Sequence, residues 1–361
     1  MRIEIQMAPS DKISRRSFGA LMAAAVALPA SAHARGKRPT RPMKQALIKP
    51  PRLHKGDVVG LIAPGGRTND ESIEKAVRNI EALGFCVKLG KNLRAVHGNY
   101  AGSVQQRVAD LHAMVQDPEV KAMWCIRGGS GSISILSSLD YKLVRANPKV
   151  LLGYSDITAL HLAFYRNAGL VTFHGPVAIS GPSDYAREHM LAVLMDPQPT
   201  YTIPMALENS RRALDEPHFA MRTATHGQAT GPLIGGNLSL VSALAGTPYA
   251  ADFKDAILYL EEVNEEPYRI DRWMTQLDLA VGFNKAAAVM IGICDQCVPE
   301  DPALSLTLQE TLDLHLQPLI VPAVSGYSFG HIRHQFTIPV GVMARLDTER
   351  QTLTLLEPAV V

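Results

Sequence analysis

Cysteine is scarce in this sequence. The 361 residues include four cysteines, and so few in so long a chain exclude a disulfide framework as the basis of the fold. Cys294 and Cys297 have the C-x-x-C spacing, but no second pair completes a zinc site. The pair follows an apolar segment late in the chain, which does not fit a thioredoxin-like role. We interpret both cysteines as structural, and a reversible disulfide between them stays open.

The sequence also lacks a strong excess of either charge and a long apolar run. The formal net charge is +2, and residues 1–34 hold four of the 36 basic and two of the 34 acidic residues, so the remainder is balanced. Such a balance excludes the electrostatic footprint of a nucleic-acid-binding protein. Without the roughly 20 consecutive apolar residues of a spanning helix, no stable membrane insertion is expected. The composition, with 47% hydrophobic residues, is that of a globular protein long enough for two domains.

The N-terminus has a tripartite pattern. Ser-Arg-Arg-Ser-Phe at 14–18 precedes a short apolar stretch at 19–29, and Ala-His-Ala at 32–34 has the small-x-small form of a cleavage site. The pattern resembles a twin-arginine export signal over residues 1–34 and predicts a periplasmic protein. A basic leader on a cytoplasmic protein is the alternative. Residues 35–52 are basic and proline-rich, which is typical of an exposed tether.

Strand and helix patterns alternate through residues 53–182. Short apolar segments that indicate buried strands are separated by helical patterns, such as those that begin after Asn69 and Ser103. This order predicts a Rossmann-like α/β domain with a parallel sheet and right-handed crossovers. Ligands of such sheets bind beyond the carboxyl ends of the strands. We expect the loops at that rim to include Pro64, Gly65, Gly66, Gly128, Gly129, Ser155 and His174.

The pattern changes in the second half of the chain. Residues 183–228 have no clear period and several prolines, so we interpret them as the connection between two domains. Residues 229–361 are β-rich, with strand patterns that include 256–260, 288–293 and 319–321. The prediction is therefore an N-terminal α/β domain followed by a C-terminal β-rich domain.

The stretch KVLLGYSDITAL at 149–160 is typical of a strand that delivers a serine to the start of a helix. Apolar residues run into a Gly-Tyr-Ser turn, and helical spacing begins at Ile157. A sharp strand-to-helix turn exposes the serine hydroxyl, and unpaired N–H groups at the helix start can stabilise an oxyanion. Ser155 is therefore a candidate nucleophile. The same pattern also fits a serine that only caps the helix.

A serine nucleophile needs a base and a third group that orients the base. His174 and His331 are the better candidates among twelve histidines, because glycine-flanked loops at sheet edges place side chains in clefts. Glu261 and Glu262 follow five apolar residues, which is an unusual place for two carboxylates unless one faces a partner and the other faces water. A strand that simply emerges into solvent explains the two glutamates equally well.

Six short motifs follow one another along residues 53–355. They are Arg-Gly-Gly at 127–129, Gly-Tyr-Ser-Asp-Ile-Thr-Ala-Leu at 153–160, His-Gly-Pro at 174–176, Gly-Gly-Asn-Leu at 235–238, Leu-Glu-Glu at 260–262 with Pro-Tyr-Arg-Ile-Asp-Arg at 267–272, and Gly-His at 330–331 with Pro-Val-Gly at 339–341. In this order they resemble the motifs of the LD-carboxypeptidases, the S66 family of serine peptidases. The ordered set is far more specific than any one of its members.

The resemblance implies a two-domain fold and a Ser-His-Glu triad. An N-terminal Rossmann-like domain would carry Ser155, and a C-terminal β-rich swivelling domain would supply Glu261 and His331, with the active site between them. By motif, Ser155 is the nucleophile, His331 is the base and Glu261 orients that base. His174 then becomes a rim or structural residue.

The resemblance also implies a substrate and its surroundings. The family removes a terminal D-alanine from the murein tetrapeptide, and it implies no metal and no cofactor; the sequence has no H-E-x-x-H motif and no clustered His, Cys and Asp set. The backbone N–H groups of Asp156 and of the loop at Gly128 and Gly129 would stabilise the oxyanion. Arg127 is a candidate partner for a substrate carboxylate, and an ordinary surface ion pair is its alternative. The family resemblance suggests a homodimer.

Two departures from the family leave other functions open. Ser130 stands where a tyrosine is usual, which predicts an altered wall of the substrate pocket. The export signal is unexpected beside the family's best-known role, which is cytoplasmic recycling of muropeptides. The alternatives are a relative that hydrolyses an amide in a peptide-nucleotide antibiotic, as the self-immunity branch does, and a non-catalytic murein-peptide binder.

Overall fold

The computed structural model of the protein describes residues 46–361. The export signal at 1–34 and most of the tether at 35–52 therefore lie outside the described residues. The strands are β1 Val58–Ile62, β2 Cys86–Leu89, β3 Val120–Cys125, β4 Val150–Gly153, β5 Thr172–His174, β6 Tyr201–Ile203, β7 Arg222–Thr225, β8 Gln228–Asn237, β9 Ile257–Glu261, β10 Ala288–Gly292, β11 Ala323–Tyr327, β12 Ile338–Val340, β13 Met343–Asp347 and β14 Thr352–Leu355. The helices are α1 Asp70–Ala82, α2 Val104–Gln116, α3 Ser132–Ile135, α4 Tyr141–Ala146, α5 Thr158–Ala168, α6 Asp184–Leu194, α7 Leu207–Arg212, α8 Leu238–Leu244, α9 Pro267–Val281 and α10 Leu308–Leu316.

A six-stranded sheet organises the first lobe. Its order is β12-β5-β4-β3-β1-β2, and every strand pair is parallel except β12 with β5. The order 2-1-3-4-5 reverses between β1 and β3, and ligands of open α/β sheets bind beyond the carboxyl ends of the strands at such a point. The fold class predicted for this half is confirmed. The crevice beyond β1 and β3 lies beside the end of β4, which leads to Ser155.

Side-chain caps fix where the first two long helices begin. Asn69 accepts a hydrogen bond from the backbone N–H of Ser72 at the start of α1. Ser103 and Gln106 form a reciprocal capping box at the start of α2. Such caps satisfy N–H groups that the helix itself leaves unpaired, and each contributes about 1 kcal/mol. The predicted helix starts after the polar caps are therefore confirmed in the structure.

An eight-stranded mixed sheet organises the second lobe. Its order is β6-β14-β13-β8-β9-β10-β11-β7. The four strands β8, β9, β10 and β11 run parallel, and antiparallel strands complete both sides. Parallel neighbours need crossovers, which α8, α9 and α10 supply. The expected second sheet is present, but its central strands are parallel and connected by helices, as in an α/β fold.

The sequence interpretation missed several elements. Residues 183–228 contain α6 and α7, and their strands β6 and β7 form the two edges of the second sheet, so this stretch is more than a connection. No strand forms at 319–321, because the strand begins at Ala323 after helix α10. Short edge strands carry little local pattern, since their pairing partners lie far away in the sequence. Strand β12 at Ile338–Val340 comes from the half of the chain predicted to form the second domain, but it pairs with β5 in the sheet of the first lobe.

The two lobes share buried apolar clusters. Leu160 and Phe164 of α5 belong to the same buried cluster as Leu238 and Val241 of α8. The cluster also contains residues of both sheets, and the described residues 46–361 lie in one compact unit. Within the described residues, no helix has the length and apolarity to cross a membrane.

We expect Gly235→Ala to destabilise the protein by about 3 kcal/mol or more. Gly235 has a φ of +159° in the middle of β8, and a Cβ there would lie 1.7 Å from the carbonyl oxygen of Tyr259 on β9. That clash involves backbone, so relief requires the two central strands to separate. Urea denaturation of the purified protein measures the loss.

Gly246→Ala is the matched control for this change. Gly246 also has a positive φ, +82°, but nothing lies within 4 Å of the Cβ that the substitution adds. Only the backbone conformational cost of about 1 kcal/mol applies there. Equal losses in the two variants would show that the β8–β9 contact does not set the stability.

Candidate functional site

Ser155 occupies a strained turn at the carboxyl end of β4. Its φ is +64°, a region that costs of order 1–3 kcal/mol for a residue with a side chain and that is typical of functional sites. A 3-10 turn at Ser155–Ile157 leads into α5, and neither helical segment has a side-chain cap. The capping interpretation of Ser155 is therefore wrong. The side chain is half-buried and stays accessible at the rim.

The glycine loop after β3 packs directly against Ser155. A Cβ built on Gly128 would lie 2.8 Å from the Ser155 Cβ and 2.9 Å from its Oγ, so only glycine allows this approach. The same Cβ position lies 3.4 Å from the backbone nitrogen of Asp156. The carbonyl of Gly128 accepts a hydrogen bond from the N–H of Gly66, at 3.2 Å, across the crevice between the β1 and β3 loops. Of the predicted oxyanion elements, Gly128 and Asp156 are thus neighbours of the serine, whereas Gly129 packs against Gly66.

The side chain of Asp156 turns inward. Its carboxylate is buried and accepts a 2.9 Å hydrogen bond from the backbone N–H of Ser132. Burial raises the pKa of Asp156, although hydrogen bonds from Ser132 and the charge of Arg107 work in the opposite direction. Only the backbone of Asp156 is therefore placed to meet a ligand.

Glu261 and His331 form a hydrogen-bonded pair in the second lobe. Glu261 ends β9 with 0% exposure, and its Oε2 lies 2.7 Å from Nδ1 of His331. The histidine lies on the loop that follows β11, next to Gly330, which has a φ of +119°. The bond leaves Nε2 of the imidazole free to face a substrate or a nucleophile.

The charges of this pair stabilise each other. Burial alone lowers the pKa of His331, but the charge and hydrogen bond of Glu261 outweigh it, so the pKa lies above the usual value. Burial alone raises the pKa of Glu261, and His331 reverses that effect, so the pKa is lowered. The carboxylate is therefore ionised in a position where an unpaired charge would be costly.

Tyr154 brings the pair to the serine turn. Its ring packs edge-on against the imidazole of His331 with ring centroids 4.6 Å apart, and Tyr154 is the residue before Ser155. Among residues 46–361 no hydrogen bond joins the Ser155 hydroxyl to His331. Hydrogen bonds of this kind are often long in enzymes without substrate and tighten when substrate binds. The ring of Tyr154 thus places the hydrogen-bonded pair of Glu261 and His331 next to the residue that precedes Ser155.

His174 does not lie on the rim. It is fully buried behind the site, where its ring contacts those of Tyr154 and Tyr259 at 6.2 and 5.5 Å between centroids. Burial lowers the pKa of His174 to about 4, so the ring is neutral near pH 7. The rim position expected for His174 is wrong, because β5 ends inside the sheet contact with β12. Its buried ring fits the structural role that the family resemblance allowed.

Glu262 and Asn237 lie beside the pair, in roles that the sequence interpretation did not assign to them. Glu262 is buried rather than facing water, and its carboxylate accepts hydrogen bonds from Asn237 Nδ2 at 2.8 Å and from the backbone N–H groups of Val263 and Ser239 at 3.0 Å. Burial and the charge of Glu261 raise the pKa of Glu262 to about 7. The N–H of Asn237 also donates to Thr158 Oγ1 at 3.0 Å, which ties the two lobes together beside the serine turn. In the sequence, the Gly-Gly-Asn motif at 235–237 was the signal that could have pointed to Asn237.

Arg127 lies exposed at the edge of the crevice. Its Nη1 donates to the carbonyl of Arg67 at 3.3 Å, and within the described part of the chain it has no carboxylate partner. The surface ion pair considered for it is therefore not formed among those residues. Ser130 is also exposed on this loop.

One cluster outside the crevice has metal-binding residue types. Ligand atoms of Glu216, His218 and Asp295 lie within 4.8 Å of one another. The sequence could not show it, because the three residues come from two distant segments. Arg212 already donates to both Glu216 oxygens at 2.7 and 2.8 Å. A cation there would share Glu216 with the guanidinium.

The C-x-x-C cysteines are buried near this cluster. Cys294 and Cys297 are free thiols that line a cavity of about 360 Å³ together with His218. The neighbouring thiol of Cys297 and burial raise the pKa of Cys294. Protonated buried thiols are weak nucleophiles, which agrees with a structural role.

Two segments of the chain match known protein-family models. Residues 59–175 match the LD-carboxypeptidase N-terminal domain, and residues 230–346 match the LD-carboxypeptidase C-terminal domain, both of the S66 peptidases. The first match holds the serine turn, and the second holds the Glu261 and His331 pair.

Similar proteins and structures agree with these matches. The chain is 36% identical to the "Probable murein peptide carboxypeptidase" of Bacillus subtilis, over 85% of this chain and 94% of the relative, and 32% identical to the murein tetrapeptide carboxypeptidase of Pseudomonas aeruginosa, over 81% and 94%. The fold is similar to that of the microcin C7 self-immunity protein MccF bound to adenosine monophosphate, with a TM-score of 0.79, 24% identity and coverage of 87% and 100%. A muramoyltetrapeptide carboxypeptidase from Oxalobacter formigenes has a TM-score of 0.71 at 25% identity, with coverage of 82% and 97%. The chain therefore belongs to the LD-carboxypeptidase family of S66 peptidases.

Proposed function

We propose that this protein is a serine LD-carboxypeptidase that removes the terminal D-alanine from murein tetrapeptides. The observation that carries the proposal is the 2.7 Å hydrogen bond between the buried Glu261 and His331, whose ring packs on Tyr154 beside the strained Ser155. Nucleophile, base and orienting acid are the three parts of a hydrolytic triad. The substrate class rests on the relatives named murein peptide and murein tetrapeptide carboxypeptidases.

In the acylation step, Ser155 Oγ attacks the carbonyl carbon of the scissile amide. His331 Nε2 takes the hydroxyl proton, and Glu261 holds the opposite nitrogen so that Nε2 is the basic one. The tetrahedral intermediate then collapses, the C–N bond breaks, and the proton passes from His331 to the departing amine of D-alanine. An acyl-serine ester remains on the protein.

In the deacylation step, water attacks the ester carbonyl and gives its proton to His331. The bond to Ser155 Oγ breaks, the serine regains the proton from His331, and the tripeptide leaves with a new carboxylate. Both steps build negative charge on the same carbonyl oxygen. Backbone N–H groups of Asp156 and of the loop at Gly128 and Gly129, which touches the serine, are proposed to stabilise that oxygen.

Arg127 is proposed to attract the terminal carboxylate of the peptide. Its guanidinium is exposed at the edge of the crevice, and a guanidinium matches the two oxygens of a carboxylate. Ser130 on the same loop leaves this side of the crevice without the aromatic wall that is usual in the family.

Ser155→Ala should lower the release of D-alanine by about 10⁴-fold or more, because the acyl-enzyme cannot form. Ser137→Ala is the matched control, since this serine is exposed on the same lobe and should leave the rate unchanged. Purified protein is assayed with murein tetrapeptide and, in parallel, with a peptidyl-nucleotide amide. Undiminished turnover in Ser155→Ala would contradict the triad. If the unaltered protein prefers the nucleotide substrate, the self-immunity alternative is supported. If it binds murein tetrapeptide without turnover, the non-catalytic murein-peptide binder is supported.

The pH profile tests the pair that activates the serine. His331 accepts a proton only when neutral, and Glu261 raises its pKa above 6.5, so kcat/KM should fall as the pH drops through a value above 6.5. Glu261→Gln should lower kcat/KM by about 10²- to 10⁴-fold and move the acidic limb to lower pH, because burial alone lowers the pKa of the imidazole. Glu265→Gln, a half-buried neighbour, serves as the control. An acidic limb that does not move excludes Glu261 as the partner of the base.

The protein is proposed to act in the periplasm, on the strength of the tripartite pattern at 1–34. Cell fractionation followed by immunoblotting should find the shortened protein in the periplasmic fraction. Replacing both Arg15 and Arg16 by Lys should retain it, unshortened, in the cytoplasm. Cytoplasmic recovery of the unaltered sequence would instead support the cytoplasmic alternative.

A further inference from the structure

Arg107 is an arginine that the first lobe buries almost completely. It lies on α2 with 3% exposure, and arginine is rarely buried unless its donors have partners. It is not part of the serine turn, the acid-base pair or the exposed rim. We propose that Arg107 is a positioning residue that holds the oxyanion loop against Ser155. This inference rests on the proposed function and deepens it.

The guanidinium of Arg107 joins the two loops that border the crevice. Its Nη1 donates to the carbonyls of Pro64, after β1, and Gly131, after β3, each at 2.8 Å. Its Nη2 donates to the hydroxyl of Ser134 at 3.0 Å. A planar fork with several fixed donors can serve three acceptors at once, whereas the compact ammonium of lysine cannot reproduce that geometry.

The loop that Arg107 holds is bonded in turn to the serine turn. Next to Gly131, the N–H of Ser132 donates to the carboxylate of Asp156 at 2.9 Å, and Asp156 follows Ser155 in the chain. The carboxylate also fills the space beside Gly65, where a Cβ would lie 2.2 Å from Oδ2. Hydrogen bonds thus run without interruption from α2 through the β3 loop to the residue after the nucleophile.

The loop needs this external support because its own backbone is irregular. Gly129 and Gly131 have φ values of +109° and +116°, and residues 127–131 form no helix or strand. Glycines in these conformations are readily displaced, since they have no side chain to pack. The proposed oxyanion donors are backbone groups of this loop and of Asp156, so their direction depends on what holds the loop.

Loss of Arg107 should therefore weaken the transition state more than the substrate complex. A donor aimed at a developing oxyanion contributes little to ground-state binding, and removing one such donor lowers kcat by about 10²- to 10³-fold in serine hydrolases. We expect Arg107→Met to lower kcat by about 10²-fold and to leave KM within about twofold. Arg107→Lys should recover only a small part of the loss, because it keeps the charge but not the fork.

The experiment measures kcat and KM for murein tetrapeptide with Arg107→Met, Arg107→Lys and Arg107→Ala. Arg94→Met is the matched control, because this arginine of the same lobe is exposed and paired with Asp70. Guanidinium chloride at low millimolar concentration should raise kcat of Arg107→Ala by at least about fivefold and leave Arg94→Met unchanged. A merely structural residue would not show the split between kcat and KM or the rescue.

Several outcomes would overturn the inference. Unchanged kcat in Arg107→Met, or a raised KM at constant kcat, shows that the arginine does not act on the transition state. Where Arg107→Met fails to fold, Ser134→Ala decides, since it removes the bond from Arg107 Nη2 and the bond that the same hydroxyl donates to the Gly131 carbonyl of the loop. A loss of about threefold in kcat at constant KM supports positioning, and no loss overturns it. Full activity of Ser155→Ala would instead defeat the proposed function itself, so the two failures are distinguishable.

Discussion

The buried hydrogen bond between Glu261 and His331 is the interaction on which the site depends. A carboxylate with no exposure is stable only beside a compensating charge or donor, and the imidazole supplies both. In return the carboxylate fixes the orientation of the ring. Glu261 lies at the end of the central strand β9, which is hydrogen-bonded to β8 on one side and to β10 on the other. The sheet therefore fixes the position of the carboxylate.

The serine turn and the acid-base pair lie at the carboxyl ends of parallel strands that belong to different sheets. The first sheet presents Ser155 after β4, and the second presents Glu261 at the end of β9. The contact is kept in register by Asn237, which bonds Thr158 in one lobe and Glu262 in the other, and by Gly236, where a Cβ would lie 2.5 Å from Thr158. The site is therefore a property of the interface and not of either lobe.

Local pattern revealed much of this arrangement. The strand-turn-helix around Ser155 and the caps at Asn69 and Ser103 follow from neighbouring residues, so they were predictable. The glycine-flanked loops reduced the twelve histidines to His174 and His331, and the motif order then selected His331 together with Glu261. Arg107, His174 and the cluster at Glu216 were not predictable in position, because burial and contact between distant segments decide their surroundings. The edge strands β6 and β7 were missed for the same reason.

The return of β12 to the first sheet has a consequence for how the molecule is assembled. His331 lies between β11, in one sheet, and β12, which pairs with β5 in the other. The imidazole thus lies on a connection whose two ends belong to different sheets. The ten residues between Tyr327 and Ile338 limit how far this connection can move. If the chain were cut between the two halves, the first sheet would lose β12, and the edge of β5 would be unpaired. The two halves are therefore not modules that could be exchanged independently in evolution.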